Sequence, residues 1–118
     1  LDAPFYLQTI DIVFKSHRLP KGEWVSRGRR VRPEKITRTA ILCIEGERDD
    51  ISGIGQTRAA LDLATGLDDA KKDYLLAPKV GHYGIFNGRR WRETIAPRVE
   101  AFIRRHDQGA RGHLTVAA

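Results

Sequence analysis

"TAILCIEGERDDISGIG" (residues 39–55) decides how this chain is read. Its first eight residues, Thr39–Gly46, form a short apolar run with β-branched members. Such a run predicts a strand buried on both faces, as in a parallel sheet. The polar loop "ERDDISGIG" follows. Beyond it, Ala59, Ala60, Leu63, Ala64 and Leu67 give Gln56–Leu67 the spacing of an amphipathic helix. Asp68-Asp69 opens a connection, and "YLLA" (74–77) reads as a second short buried strand. A glycine-bearing loop, "KVGHYG" (79–84), comes next. Trp91, Ile95, Val99, Phe102 and Ile103 then mark a C-terminal helix. Pro97 removes one backbone donor there, so a kink or a new helix starting near Ala96 is expected. Strand, loop, helix, strand, loop, helix is a βαβα order. It predicts an α/β fold with a parallel sheet and helices packed on it. Two parallel strands are not stable alone, so further strands are expected upstream.

The segment before Thr39 has a different pattern. Tyr6, Ile10, Val13, Phe14 and His17 are spaced for a helix over residues 4–18 with one buried face, stopped by Pro20 and Gly22. "GEWVSRGRRV" (22–31) reads as a small hairpin with Arg27-Gly28 at its turn. Pro33 ends it, and a short turn around Glu34–Arg38 follows. Residues 107–118 read as a frayed tail, leaving 1–106 as the folded portion.

The 118 residues suffice for one domain with one modest core. Hydrophobic residues make up 41% and charged residues 31%, an ordinary globular balance. No stretch approaches the roughly 18 consecutive apolar residues of a membrane span. These residues are read as carrying no signal peptide, repeat or low-complexity run. The one cysteine, Cys43, excludes an internal disulfide and fits a reducing compartment. The chain begins at Leu1 and contains no methionine, so it reads as the C-terminal part of a longer polypeptide. Its net charge of +6 fits a solvated surface, or attraction to an anionic partner such as nucleic acid. The arginine pairs Arg29–Arg30, Arg89–Arg90 and Arg104–Arg105 are scattered rather than striped, which argues against nucleic acid.

The chemistry-bearing positions lie in the two polar loops. In open α/β sheets, ligands bind beyond the carboxyl ends of the strands. "GERDD" and "KVGHYG" both follow strands there, and adjacent parallel strands would set them side by side. A carboxylate from the first loop could then meet His82 in the second. It would fix the imidazole tautomer and stabilise the imidazolium. Gly81 and Gly84 would permit positive φ and a close approach of the loop. Spacing alone leaves this acid–base pair and a merely structural histidine equally open. It also leaves Asp49 or Asp50 as the acid, the other capping the turn or the next helix. None of Ser16, Ser26 and Ser52 has the Gly-x-Ser-x-Gly elbow of a hydrolase nucleophile. Cys43, between Leu42 and Ile44, reads as a buried, inert thiol. The nucleophile is therefore expected upstream of this chain. His17, His106 and His113 have no metal-ligand spacing with Cys43, so no metal site is expected.

"FYLQTIDIVFKSHRLPKG", "DDISGIGQTRAA" and "GHYGIFNGRRWRETIAPRVEAFI" resemble the C-terminal region of intracellular polyhydroxyalkanoate (polyhydroxybutyrate) depolymerases. The resemblance covers nearly all of residues 4–106. It implies the C-terminal part of an α/β-hydrolase that cleaves the ester bonds of a stored bacterial polyester. Its acid falls on Asp49 and its histidine on His82, with the nucleophile of the triad outside the chain. Polyhydroxyalkanoate synthases share the fold and a Cys–Asp–His triad, but diverge after "GH", from "YGIFNGRRWR" onward.

The resemblance further implies no cofactor and no membrane span. The implied partner is the polymer or granule surface in the cytoplasm, without nucleic acid, and a homo-oligomer is compatible with it. Tyr83, Phe86 and Trp91 are candidates to line the polymer path, with packing as their alternative role. The competing functions are a synthase-like acyltransferase and a non-catalytic basic module that binds granules or nucleic acid. The 118 residues alone are expected to be inactive.

Overall fold

The computed structural model describes residues 1–107. Helix α1 (Ala3–Thr9) has Pro4 in its first turn, where its missing N–H is harmless, and runs into a wide π-helical turn, Ile10–Lys15. Strands β1 (Val25–Ser26) and β2 (Arg29–Arg30) form the expected antiparallel hairpin. Arg27 (φ 49°) and Gly28 (φ 75°) take the left-handed conformations that a tight hairpin turn needs. After a 3₁₀ turn at Pro33–Lys35 comes β3 (Ile41–Gly46), followed by α2 (Ala59–Leu63) and β4 (Lys72–Ala77). The C-terminal helix has three parts: α3 (Gly88–Arg90), a π-helical turn (Trp91–Ile95) and α4 (Ala96–Asp107).

β3 and β4 pair in parallel, Ile41 opposite Lys72 through Gly46 opposite Ala77. The chain is therefore of mixed α/β character, with one antiparallel and one parallel pair of strands. The core gathers Ala77, Val80, Ile85 and Ile95, with Ile44, Leu75, Trp91 and Val99 packed against them. Side chains alternate across a strand. Ile44, Leu75 and Ala77 thus share the face that α4 covers. Asp73, on the same face, accepts both Arg98 and Arg105 from α4. On the opposite face, the Arg58 guanidinium lies 5.7 Å from the centre of the Tyr74 ring. The second edge of β3 has no strand partner among the described residues.

Several expectations are corrected here. The face of the N-terminal helix expected to be buried is open: Tyr6, Val13 and Phe14 are exposed, and Ile12 is the buried residue. The π-helical turn rotates side chains out of 3.6-residue register, so spacing no longer reports the face. That helix also ends at Lys15, well before Pro20, and His17 beyond it is left-handed (φ 50°). The helix expected over Gln56–Leu67 is cut to Ala59–Leu63. β3 is buried through Cys43 and Glu45 on one face, while Leu42 and Ile44 on the other are half-buried. The helix restart near Ala96 is present, reached through the π-helical turn rather than a sharp kink. Pro97 brings no N–H to the carbonyl four residues back, and the helix widens just before it. The tail expected at 107–118 lies outside the described residues except for Asp107, which ends α4.

Candidate active site

Parallel pairing sets the carboxyl ends of β3 and β4 next to each other, and backbone bonds tie the loops beyond them. Glu47 N–H donates to the Ala77 carbonyl (3.0 Å) and Arg48 N–H to the Val80 carbonyl (2.9 Å). The Glu47 carboxylate accepts the Lys79 N–H (2.6 Å), where Lys79 is left-handed at φ 58°. Gly46 makes the approach possible. A Cβ there would lie 2.5 Å from the Val80 carbonyl oxygen. The loops thus touch at their roots, before the chain reaches Asp49 or His82.

Asp49 follows a tight turn in which its N–H donates to the Gly46 carbonyl (3.1 Å). Its Oδ1 accepts the N–H groups of Ile51 and Ser52, both at 2.9 Å. Its Oδ2 lies 2.9 Å from His82 Nδ1, across 33 positions of sequence. One carboxylate therefore both caps its own turn and meets the imidazole, two jobs that sequence reasoning divided between Asp49 and Asp50. Asp50 lies exposed. The Asp49 side chain is 2% exposed and that of His82 33%. The Ser52 N–H leads the groups that hold the Asp49 carboxyl below its ordinary pKa. Burial opposes it, while the hydrogen bond to His82, the Ile51 N–H and the His82 charge add to it. An ionised carboxylate only accepts, so Nδ1 donates in this contact and, in the neutral ring, Nε2 is the nitrogen with the lone pair.

The glycines flanking His82 meet one half of the expectation, close approach, and not the other, positive φ. Neither Gly81 nor Gly84 has positive φ; the left-handed residues nearby are Lys79 and Gly88. Gly84 serves close approach, because a Cβ there would meet Val80 Cγ1 at 3.0 Å. Tyr83 and Phe86 stand edge-on to the imidazole at centroid distances of 5.8 and 6.3 Å, and both are exposed. Trp91 is half-buried against the core. A cavity of about 460 Å³ opens beside the pair, lined by Leu42, Ile44, His82, Phe86, Trp91 and Val99 among others. Tyr83 is not in its lining.

Cys43 is buried in β3. Burial first, then the neighbouring Glu45 charge, push its thiol pKa up, which keeps it protonated and unreactive. No group of three His, Cys, Asp or Glu side chains converges as a metal site among the described residues. No described helix is long and apolar enough to cross a membrane. Of the scattered arginine pairs, Arg89 meets Glu93, Arg104 meets Glu100, and Arg105 joins Arg98 on Asp73.

Sequence reasoning missed Glu45 and Glu47. Glu45, the penultimate residue of β3, is 2% exposed. Its carboxylate accepts N–H groups from Gly55 (2.7 Å), Thr57 (2.7 Å) and Arg58 (2.8 Å), and the Tyr74 hydroxyl (2.6 Å). Burial pushes its pKa up, but those four donors outweigh burial and leave it below the ordinary carboxylate value. The signal was present: an acid inside an apolar strand must find partners. Glu47 carried no such signal, since an exposed loop acid is unremarkable.

A family model described as PHB de-polymerase C-terminus matches residues 1–107. No curated protein and no solved structure matches the chain.

Proposed function

The chain belongs to the PHB de-polymerase C-terminus family, and from that premise we propose that it supplies the acid and base of a polyester hydrolase. In this reading the fold is the C-terminal part of an α/β-hydrolase, and the nucleophile comes from polypeptide outside this chain. The substrate is a poly(3-hydroxyalkanoate) at a granule surface. The observation that carries the proposal is the 2.9 Å contact between His82 Nδ1 and the buried Asp49 carboxylate.

His82 Nε2 takes the proton of the nucleophile as it attacks an ester carbonyl. The tetrahedral intermediate collapses, and the proton passes from Nε2 to the departing 3-hydroxyl oxygen. An acyl-enzyme remains. Water then gives its proton to Nε2 and attacks the acyl carbon, and the nucleophile leaves with that proton restored. Asp49 holds the ring in the Nδ1–H tautomer and stabilises the imidazolium at each proton transfer. The largely apolar cavity beside His82 suits the aliphatic carbons between the ester groups of the polymer, with Phe86 and Trp91 in its wall and Tyr83 exposed at the imidazole edge.

The test uses the full-length polypeptide on poly(3-hydroxybutyrate) granules. His82→Ala is expected to lower ester hydrolysis by about 10²–10⁴-fold, the usual contribution of a general base. Hydrolysis within a few-fold of the parent overturns the assignment. Polymer growth from a thioester monomer, with no hydrolysis, would mark a synthase instead.

A further inference from the structure

We infer that Glu45 is a positioning residue for Asp49: its buried carboxylate anchors the far end of the loop whose near end carries the acid. The inference rests on the proposed acid–base roles of Asp49 and His82 and extends that site by one residue.

The loop between β3 and α2 is tied at its root by the Glu47 and Arg48 N–H groups and the Glu47 carboxylate, and beyond that root little else holds it. Its two large apolar side chains, Ile51 and Ile54, are 65% and 59% exposed, so no hydrophobic anchor draws it to the sheet. Asp49 itself fastens the first half through Ile51 and Ser52. The second half, Gly55–Arg58, is fastened by Glu45, 10–13 residues back in sequence. Oε1 takes the N–H groups of Thr57 and Arg58, and Oε2 takes that of Gly55. The Tyr74 hydroxyl, from β4, completes the set on Oε2. β4 is the strand that leads into the His82 loop. Glu45 therefore joins the second half of the acid loop to the strand that supplies the base. Four donors on one carboxylate leave no acceptor capacity idle and no buried side-chain polar atom unpaired among the described residues. An amide cannot replace it. Glutamine keeps the shape, but its NH₂ would face an N–H group on one side of the cluster, donor against donor.

A purely structural Glu45 and a positioning Glu45 differ in what the folded variant does. In the full-length polypeptide, Glu45→Gln is expected to fold, by circular dichroism, and to lose about 10²-fold in kcat with KM little changed. That is the scale of an ångström's misplacement of a reacting group. The low-field proton resonance of the His82 Nδ1–H should broaden or vanish with it. Tyr74→Phe removes one of the four donors and leaves the charge. It should move kcat and the resonance the same way, by about fivefold in kcat, the size of one net hydrogen bond. If Glu45→Gln does not fold, Tyr74→Phe decides. Folded Glu45→Gln or Tyr74→Phe with the parent's kcat and an undisturbed resonance, beside an inactive Asp49→Asn, overturns the inference and leaves the acid–base reading standing. An active Asp49→Asn overturns that reading and the inference together.

Discussion

Gly46→Ala drives a wedge between the two loops at their shared root. The added Cβ would stand 2.5 Å from the Val80 carbonyl oxygen, where ordinary contact begins at 3.4 Å. One backbone must retreat by about 0.9 Å (3.4 − 2.5). The Val80 carbonyl accepts the Arg48 N–H at 2.9 Å. Full retreat would stretch that bond to about 3.8 Å, beyond hydrogen-bonding range. Val80 precedes His82 by two residues and Asp49 follows Gly46 by three, so the same displacement opens the 2.9 Å Asp49–His82 contact. Overpacking of this kind costs about 1–3 kcal/mol in stability. An ångström at the reacting groups costs about 10²-fold in rate. Gly66→Ala is the matched control. Its Cβ would lie even closer to backbone, 2.2 Å from the Glu34 carbonyl oxygen, but against Glu34 and Thr37 rather than the site. The assay is the initial rate of hydrolysis of a 3-hydroxybutyrate oligomer by full-length protein, normalised to the folded fraction. Gly66→Ala should lose stability and keep kcat per folded molecule; Gly46→Ala should lose both. Equal kcat for the two variants would refute the wedge.

Two further outcomes follow from the core and from the α4 contact. Ile95 is fully buried among Ala77, Val80 and Ile85, so Ile95→Ala should cost about 2–5 kcal/mol in urea unfolding and Ile95→Val about 0.5–1.5; equal, near-zero costs would show that the site collapses or is not core. Burial raises the Asp73 carboxyl pKa, but the Tyr74 N–H and the Arg105 and Arg98 guanidiniums outweigh it and hold the carboxyl below its ordinary value. A depressed pKa in the folded state contributes stability above the unfolded value of about 3.9, and the contribution is lost as pH falls through the folded value. Asp73→Asn, which removes exposed arginine partners, should therefore cost about 1 kcal/mol or less at neutral pH. The gap to the parent should close in acid, and a gap unchanged below about pH 3 would exclude Asp73 as its source.

The order of elements from Thr39 to Asp107 was legible in the residues alone, because strand runs, turn glycines and helical spacing are local properties. The parallel pairing of β3 with β4, and hence the meeting of two loops 33 positions apart, followed from that order by topology. The hairpin at Val25–Arg30 was legible for the same reason: Arg27-Gly28 carries its own turn chemistry. Choices between near-equivalent neighbours were not legible. Asp49 rather than Asp50 meets His82 because the turn after Gly46 aims that one side chain inward; spacing left the choice open, and only the family resemblance put the acid on Asp49. The helix expected from Gln56 starts only at Ala59, and the Thr57 and Arg58 N–H groups before it go to Glu45, a partner from another element. The buried face expected over residues 4–18 was misread beyond Thr9, where a π-helical turn breaks the period on which such readings depend. Local sequence determines which backbone states are cheap. Only tertiary packing decides which buried polar group finds which distant donor, since burial makes that pairing obligatory and leaves its partner to geometry.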